Sequence, residues 1–268
     1  MLDRFSRPIE YLRVSVTDRC NHRCIYCMPE TGVPLTSREG ILSYEQIQAV
    51  VREAVALGIA KVRLTGGEPL IRRNIEGLVL MLAAIPGLRE LCMTTNGTRL
   101  AAVARQLKAN GLDRLNISID SLDPEKYSRI TRGGNLRDAL DGVDDAIKAG
   151  FNPVKINMVI SADTSESEVD AMRSFCREKG LFLQTILQFS LYDRNDLPAR
   201  LTADRPPVCS TCNRLRLTSD GFLKPCLFSE HEIKVDFNNI RQSILDAVAE
   251  KPESGSACRN RPMHAIGG

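Results

Sequence analysis

The chain has 268 residues, 43% hydrophobic and 26% charged, which excludes a disordered class and allows a sizeable core in one domain or one domain with an appendage. Its 36 basic and 33 acidic residues leave a net charge of +3, too small for a nucleic acid or other polyanion spread over the surface, so any basic site is local. The N-terminal MLDRFSRPIE carries charges where a secretion signal needs an apolar run, and the longest apolar stretch, LVLMLAAIPGL, is too short to cross a bilayer; a cytoplasmic protein with no membrane partner is expected.

In chain order, YLRVSVT opens a series of six short β-branched or apolar runs, continued by KVRLT, ELCMTT, RLNISI, VKINMVI and LQTILQF. Between them, 44–58, 75–85, 99–110, 135–149 and 166–179 have helix length and apolar residues at i, i+3 and i+4, as in Ile47, Val50, Val51, Ala54 and Val55. Ser43 with Gln46 forms a capping box before the first. This alternation predicts an α/β fold with parallel strands and right-handed crossovers, either an open doubly wound sheet or a partial or complete barrel. Function then belongs at the carboxyl ends of the strands, which carry TDRC, TGGEP, TTNG, SID and VIS. After residue 190 the polar, Pro-rich LYDRNDLPARLTADRPPV reads as a connection. The expected division is therefore 1–190, followed by a smaller region, 191–268, holding CSTCNRLRLTSDGFLKPC, a helical stretch near 239–250 and the tail KPESGSACRNRPMHAIGG.

Nine cysteines in a reducing compartment point to metal ligands and buried thiols more than to disulfides. Cys20, Cys24 and Cys27 follow C-x3-C-x2-C in the loop leaving the first strand, where three thiolates can converge on an iron-sulfur cluster. A zinc site with His22 as fourth ligand is the competing reading. A cubane with three protein ligands leaves one iron open for chemistry. Cys209, Cys212 and Cys226 repeat the deficit as C-x2-C-x13-C; a zinc loop is again the alternative, and the missing second pair argues against it. Cys92 and Cys176 lie in apolar patterns as inert thiols, and Cys258 has no assigned role.

Arg13, Arg63 and Lys155 fall on strands, where a charged side chain on a buried face is costly unless paired; three pointing inward imply an anion inside. Arg214 and Arg216 alternate, so on an extended segment both face one side. Arg72 and Arg73 read as a solvated helix start.

The C-x3-C-x2-C motif with Tyr26 before its last cysteine, and GGEP at Gly66 to Pro69, resemble the radical S-adenosylmethionine (radical SAM) superfamily. In that family the open iron chelates S-adenosylmethionine, and an electron from the cluster splits the sulfonium to a 5′-deoxyadenosyl radical. YLRVSVTDRCNHRCIYCMP, KVRLTGGEPLIRR, TTNG, NISIDSLD, VKINMVI, CxxCNRLRLTSDGxLKPCLF and the terminal IGG are similar, in order, to the MoaA-type GTP 3′,8-cyclases of molybdenum cofactor biosynthesis. This resemblance implies a partial (βα)6 TIM-like barrel with a small C-terminal iron-sulfur region. It also implies a lyase that converts GTP to 3′,8-cyclo-7,8-dihydro-GTP, the first step of molybdopterin formation.

The implied cofactors are S-adenosylmethionine and two 4Fe-4S clusters, on Cys20, Cys24 and Cys27 and on Cys209, Cys212 and Cys226. Tyr26, Gly67, Glu68 and Ser118 would surround S-adenosylmethionine, with Gly67 allowing close backbone approach. Arg13, Arg63, Thr94, Lys155, Arg214, Leu215 and Arg216 would meet GTP, and Arg13 with the Gly267-Gly268 tail would act in catalysis. The implied partners are a flavodoxin- or ferredoxin-like electron donor, a downstream cyclic pyranopterin monophosphate synthase and a second copy in a homodimer. The chain departs from the family in a short 190–209 segment and in Thr185 and Ser190, which stand where an arginine and a methionine are usual. Two alternatives stay open: a diverged two-cluster enzyme acting on a peptide or another nucleotide, and a non-catalytic metal-binding or electron-carrier module.

Overall fold

The computed structural model describes residues 1–37, 39–192, 203–204 and 209–267; Gly268 and most of the connection after residue 192 lie outside the described residues. The expected strands are β1 Tyr11–Ser15, β2 Lys61–Thr65, β3 Glu90–Thr95, β4 Arg114–Ser118, β5 Lys155–Ile160 and β6 Phe182–Leu187. The helices are α1 Tyr44–Ala56, α2 Ile75–Ala83, α3 Ala104–Ala109, α4 Pro124–Thr131, α5 Leu136–Lys148 and α6 Glu166–Glu178. The capping box before α1 is present: Ser43 Oγ accepts from the Gln46 N–H at 3.2 Å, and the Gln46 side chain accepts from the Ser43 N–H at 2.8 Å.

The C-terminal region adds β7 Arg214–Leu217, β8 Phe222–Lys224 and β9 Ile233–Lys234, then α7 Ile240–Ala249 and α8 Met263–Ile266. The sheet runs β6-β5-β4-β3-β2-β1-β7-β8-β9, with β6 to β7 all parallel and β8 and β9 antiparallel. It is a partial TIM-like barrel that hydrogen bonds among the described residues do not close. The boundary at residue 190 does not interrupt the sheet, because β7 pairs with β1 from Tyr11↔Arg214 to Val14↔Leu217. Leu215, Leu217, Leu223, Ile244 and Ala247 share the main core with the strands and helices before them, while Leu191, Phe228, Cys258 and Ile266 form a second, small cluster.

The period-2 alternation separates two chemistries. Leu12, Val14, Val62, Leu64, Leu91, Met93, Leu115, Ile117, Ile156, Met158, Leu215 and Leu217 face the helices and are buried in the core. The other set points inward and is polar: Tyr11, Arg13, Lys61, Arg63, Thr94, Asn116, Ser118, Lys155, Asn157, Gln184, Arg214 and Arg216 line one cavity. A barrel filled by its own side chains stacks bulky apolar residues there. This one keeps space for a charged guest.

Candidate functional site

The inner cavity has a volume of about 350 Å³. Cys20, Cys24 and Cys27 stand at its upper end, beyond the carboxyl end of β1, with Tyr26, Gly67, Glu68 and Ser118 on the same wall. The cysteine loop is pinned from several sides. The Gly67 N–H donates to Thr17 O at 2.8 Å and the Glu68 N–H to Arg19 O at 2.7 Å. Side chains on Gly66 and Gly67 would collide with the Thr17 and Arg19 carbonyl oxygens. The glycines of GGEP are thus demanded by the crossing of the cysteine loop, a reason that adds to the expectation that Gly67 allows close backbone approach.

Tyr26 O–H donates to Asp120 Oδ2 at 2.7 Å, and Asp120 Oδ1 accepts from the Val159 N–H at 2.8 Å, so the SID turn ties the loop to β5. Glu68 accepts from Thr95 Oγ1 at 2.7 Å and from the N–H groups of Leu70 at 2.9 Å and Asn96 at 2.7 Å, joining GGEP to TTNG; burial raises its carboxyl to about 7 despite these bonds. The sequence reading missed α4, whose end holds the loop: Arg23 N–H donates to Thr131 O at 3.2 Å, Ile25 N–H to Ile130 O at 3.0 Å, and Arg132 to Arg23 O and Met28 O at 2.9 and 2.8 Å. Its signal was legible as Asp123-Pro124, an N-cap accepting from Lys126 N–H at 2.8 Å before a proline at the first helical position. His22, the fourth ligand of the zinc reading, packs edge-on against Tyr127 at a centroid distance of 6.1 Å. Among the described residues no three Cys, His, Asp or Glu side chains gather around one ion, whereas thiolates of a cubane each take a different iron and stand farther apart.

Below the cysteines, Arg216, Arg13 and Arg63 lie in register on β7, β1 and β2. Arg63 is held rigidly: it donates to Tyr11 Oη at 2.7 Å, Asn116 Oδ1 at 2.8 Å, Thr94 Oγ1 at 3.2 Å and Met93 O at 3.3 Å. Arg216, 6% exposed, is brought down to about 9, first by burial and then by the Arg13 and Arg214 guanidiniums beside it. The cavity thus crowds like charges into a buried space, where they repel one another. Lys155 lies on the far wall, in register with Asn116.

The tail enters this space. Gly267 O accepts from Arg216 at 2.7 Å and Arg13 at 3.4 Å, and a side chain on Gly267 would collide with Thr65 Oγ1. Gly268 lies outside the described residues.

Leu215, with 0% exposure, turns its side chain to the helices, because alternation between two inward arginines sends it outward, so that side chain does not line the cavity. Arg72 also points away, donating to Val16 O at 2.5 Å and Leu42 O at 2.6 Å. Cys92, expected as an inert thiol in an apolar pattern, is buried beside Arg63 instead of in the main core. Thr185 binds Asp204 through its N–H at 2.8 Å and its hydroxyl at 3.0 Å.

The second triad is at the opposite end of the strands. Cys209 and Cys212 form a turn, with Cys212 N–H to Cys209 O at 3.1 Å, just before β7, and Cys226 follows β8. Burial raises the Cys212 thiol, but the Lys251 ammonium, the Arg214 N–H and the Arg214 guanidinium bring it below the usual value. Missed by the sequence reading were Asp120, Lys251 and His264. His264 lines the cavity with a buried Nδ1 that lacks a hydrogen-bond partner among the described residues.

The Radical SAM superfamily model matches residues 14–176. The chain is 42% identical over 278 residues to a GTP 3′,8-cyclase of Moorella thermoacetica, covering 88% of this chain and 86% of that one. To a GTP 3′,8-cyclase of Petrotoga mobilis it is 37% identical over 323 residues, covering 100% of both. Among solved structures, Streptococcus suis SuiB bound to S-adenosylmethionine has a TM-score of 0.68 at 13% identity, over 92% of this chain and 67% of that one, a likeness of fold.

The cofactors of this family are S-adenosylmethionine and 4Fe-4S clusters, and the residues present fit them: two sets of three free thiols, and an orphaned imidazole nitrogen of His264 on the wall of the cavity that the first set lines. Membership of an enzyme family sets aside the electron-carrier reading. At 37% and 42% identity to these relatives over the whole or most of both chains, and with the Radical SAM model over residues 14–176, the chain belongs to the GTP 3′,8-cyclase family of the radical SAM superfamily.

Proposed function

We propose that the cavity takes S-adenosylmethionine and GTP together and converts GTP to 3′,8-cyclo-7,8-dihydro-GTP. In this reading Cys20, Cys24 and Cys27 hold the first 4Fe-4S cluster, with S-adenosylmethionine beside Tyr26, Gly67, Glu68 and Ser118. Cys209, Cys212 and Cys226 hold the second. When bound, the first cluster and S-adenosylmethionine supply the one-electron chemistry that begins hydrogen abstraction.

The observation that carries the assignment is the rank of Arg216, Arg13 and Arg63 on three neighbouring strands, facing the same cavity as the N-terminal thiols. Several cations at one level suit a triphosphate, and guanidiniums bind phosphate oxygens bidentately. Arg63 cannot swing away, because Tyr11, Asn116 and Thr94 fix it, so it offers a preorganised charge. Arg13 and Arg216 are spanned by the Gly267 carbonyl, so the tail and a phosphate compete for them or share them, with Lys155 and Arg214 completing the basic wall. Ile186, Leu187, Phe189 and Met263 add apolar surface to the lining of the same cavity. A peptide substrate gives no reason for so many inward cations, which favours the nucleotide over the diverged-enzyme reading.

The same proposal places the enzyme in the cytoplasm, as a homodimer reduced by a flavodoxin- or ferredoxin-like donor, with its product passing to a cyclic pyranopterin monophosphate synthase. No helix among the described residues is long and apolar enough to cross a membrane. The test is anaerobic incubation of the reconstituted protein with S-adenosylmethionine, GTP and a reductant. Cyclised nucleotide formed in step with 5′-deoxyadenosine is expected; 5′-deoxyadenosine release that ignores GTP overturns the assignment.

A further inference from the structure

The second triad rests on two buried cations with no part in the function described so far. Lys251, in the turn after α7 and 1% exposed, donates to Arg214 O at 2.7 Å, Pro225 O at 2.7 Å and Cys212 Sγ at 3.5 Å. Arg7 donates to Cys209 O at 2.9 Å, Glu253 O at 2.8 Å and Pro252 O at 2.6 Å, and its Nε pairs with Asp3 Oδ2 at 2.7 Å. Every cysteine of the triad is therefore reached: Cys209 through its carbonyl, Cys212 through its sulfur, and Cys226 through the carbonyl of the residue before it. The segment after Lys251 also closes over Cys226, since a Cβ on Gly255 would stand 2.7 Å from its Sγ.

The two cations differ in one respect. Asp3 neutralises Arg7, whereas no carboxylate pairs with Lys251 among the described residues; the charged or ionisable groups facing it are the Cys212 and Cys226 thiols and the Arg7 guanidinium. A fully buried ammonium that donates only to carbonyls and a thiol, with a guanidinium nearby, is costly unless those sulfurs carry negative charge, as metal-bound thiolates do.

We propose that Lys251 is a positioning residue of the second iron-sulfur site: its ammonium is the buried counter-charge of the thiolate-bound cluster, raising that cluster's reduction potential while tying the Cys212 and Cys226 segments together. The inference rests on the reading of Cys209, Cys212 and Cys226 as a 4Fe-4S site. Hydrogen bonds to cluster sulfurs and nearby positive charge both favour the reduced, more negative state.

The test uses the full chain with Cys20, Cys24 and Cys27 replaced by Ala, so that only the second site reports. Iron and sulfide are measured after anaerobic reconstitution, and the cluster is titrated electrochemically under EPR, in this parent and with Lys251→Met, Lys251→Gln or Lys251→Arg added. Glutamine keeps N–H donors for the carbonyls and loses the charge; arginine keeps the charge. The neutral variants are expected to shift the reduction equilibrium about tenfold toward the oxidised form, about 59 mV for one electron, with Lys251→Arg close to the parent. Loss of the cluster in both neutral variants while Lys251→Arg loads also meets the proposal. Equal potentials in parent and neutral variants overturn it, as does loss of the cluster in all three. A parent that takes up no iron overturns the two-cluster reading, and this inference with it.

Discussion

Cys20, Cys24 and Cys27 sit beyond the carboxyl end of β1, where burial pushes their thiols up, to about 11 for Cys20 and about 12 for Cys27, and where Glu68 and Asp120 add negative charge. Cys209, Cys212 and Cys226 sit at the opposite end beside Arg7, Lys251, Arg214 and Arg216. Each set has three thiols; the charged side chains beside the first are the carboxyls of Glu68 and Asp120, and those beside the second are guanidiniums and an ammonium. Anionic, poorly solvated surroundings disfavour adding an electron and suit a strong reductant, while cationic surroundings suit an anionic substrate. In the proposed two-cluster reading, residues distant in sequence would thus tune the two sets of cysteines differently.

The largest expected effects come from removing one triad at a time. Cys24→Ala should abolish S-adenosylmethionine cleavage and lose one cluster's worth of iron. Cys226→Ala should lose the same amount of iron yet still release 5′-deoxyadenosine, without cyclising GTP. Iron, sulfide and product analysis check both, and a Cys226→Ala protein that cyclises GTP normally breaks the division of labour.

Next in size is Gly67→Ala, whose Cβ must displace the Arg19 carbonyl in the cysteine loop. A stability cost of about 1–3 kcal/mol is expected, with poor iron loading confined to the first site. Thermal melts and iron content in a background lacking the second triad would test this, and normal loading refutes the claim that GGEP braces the loop.

Arg216→Met removes one cation from the rank. Since a charge-assisted hydrogen bond contributes roughly 1.5–3 kcal/mol, the KM for GTP should rise about 10- to 100-fold. GTP-independent 5′-deoxyadenosine release should stay the same; steady-state kinetics decide, and an unchanged KM places the phosphates elsewhere.

Tyr26→Phe should have the smallest effect. It removes the 2.7 Å bond to Asp120, which keeps its bond from Val159 N–H. Cleavage of S-adenosylmethionine should slow by only about threefold to tenfold, as expected for roughly 1 kcal/mol of lost loop ordering, at normal iron content. Loss of iron instead makes Tyr26 a structural anchor of the whole loop.

The legible features were those encoded by short spacing. Both triads, the six strands, and the inward Arg13, Arg63, Arg214 and Arg216 follow from ligand spacing and from period 2 along a strand. The same period sends the Leu215 side chain outward between two inward arginines. The α4 helix went unread although Asp123-Pro124 announces it. Asp120 lies in the SID strand end but was not singled out, and His264, Arg7 and Lys251 had no local signal, since their contacts with the site lie tens or hundreds of positions away.

The sequence by itself determined the ligand sets, the alternation of strands and helices, and which strand face is charged, because covalent spacing and backbone periodicity are local properties. Only the tertiary structure decided that β7 joins β1 across about 200 residues of chain, aligning Arg216 with Arg13 and Arg63, and that the two triads lie at opposite ends of the strands. It also decided the sign of the charge around each triad. Burial and long-range packing set that sign, and no residue's neighbours in sequence reveal it.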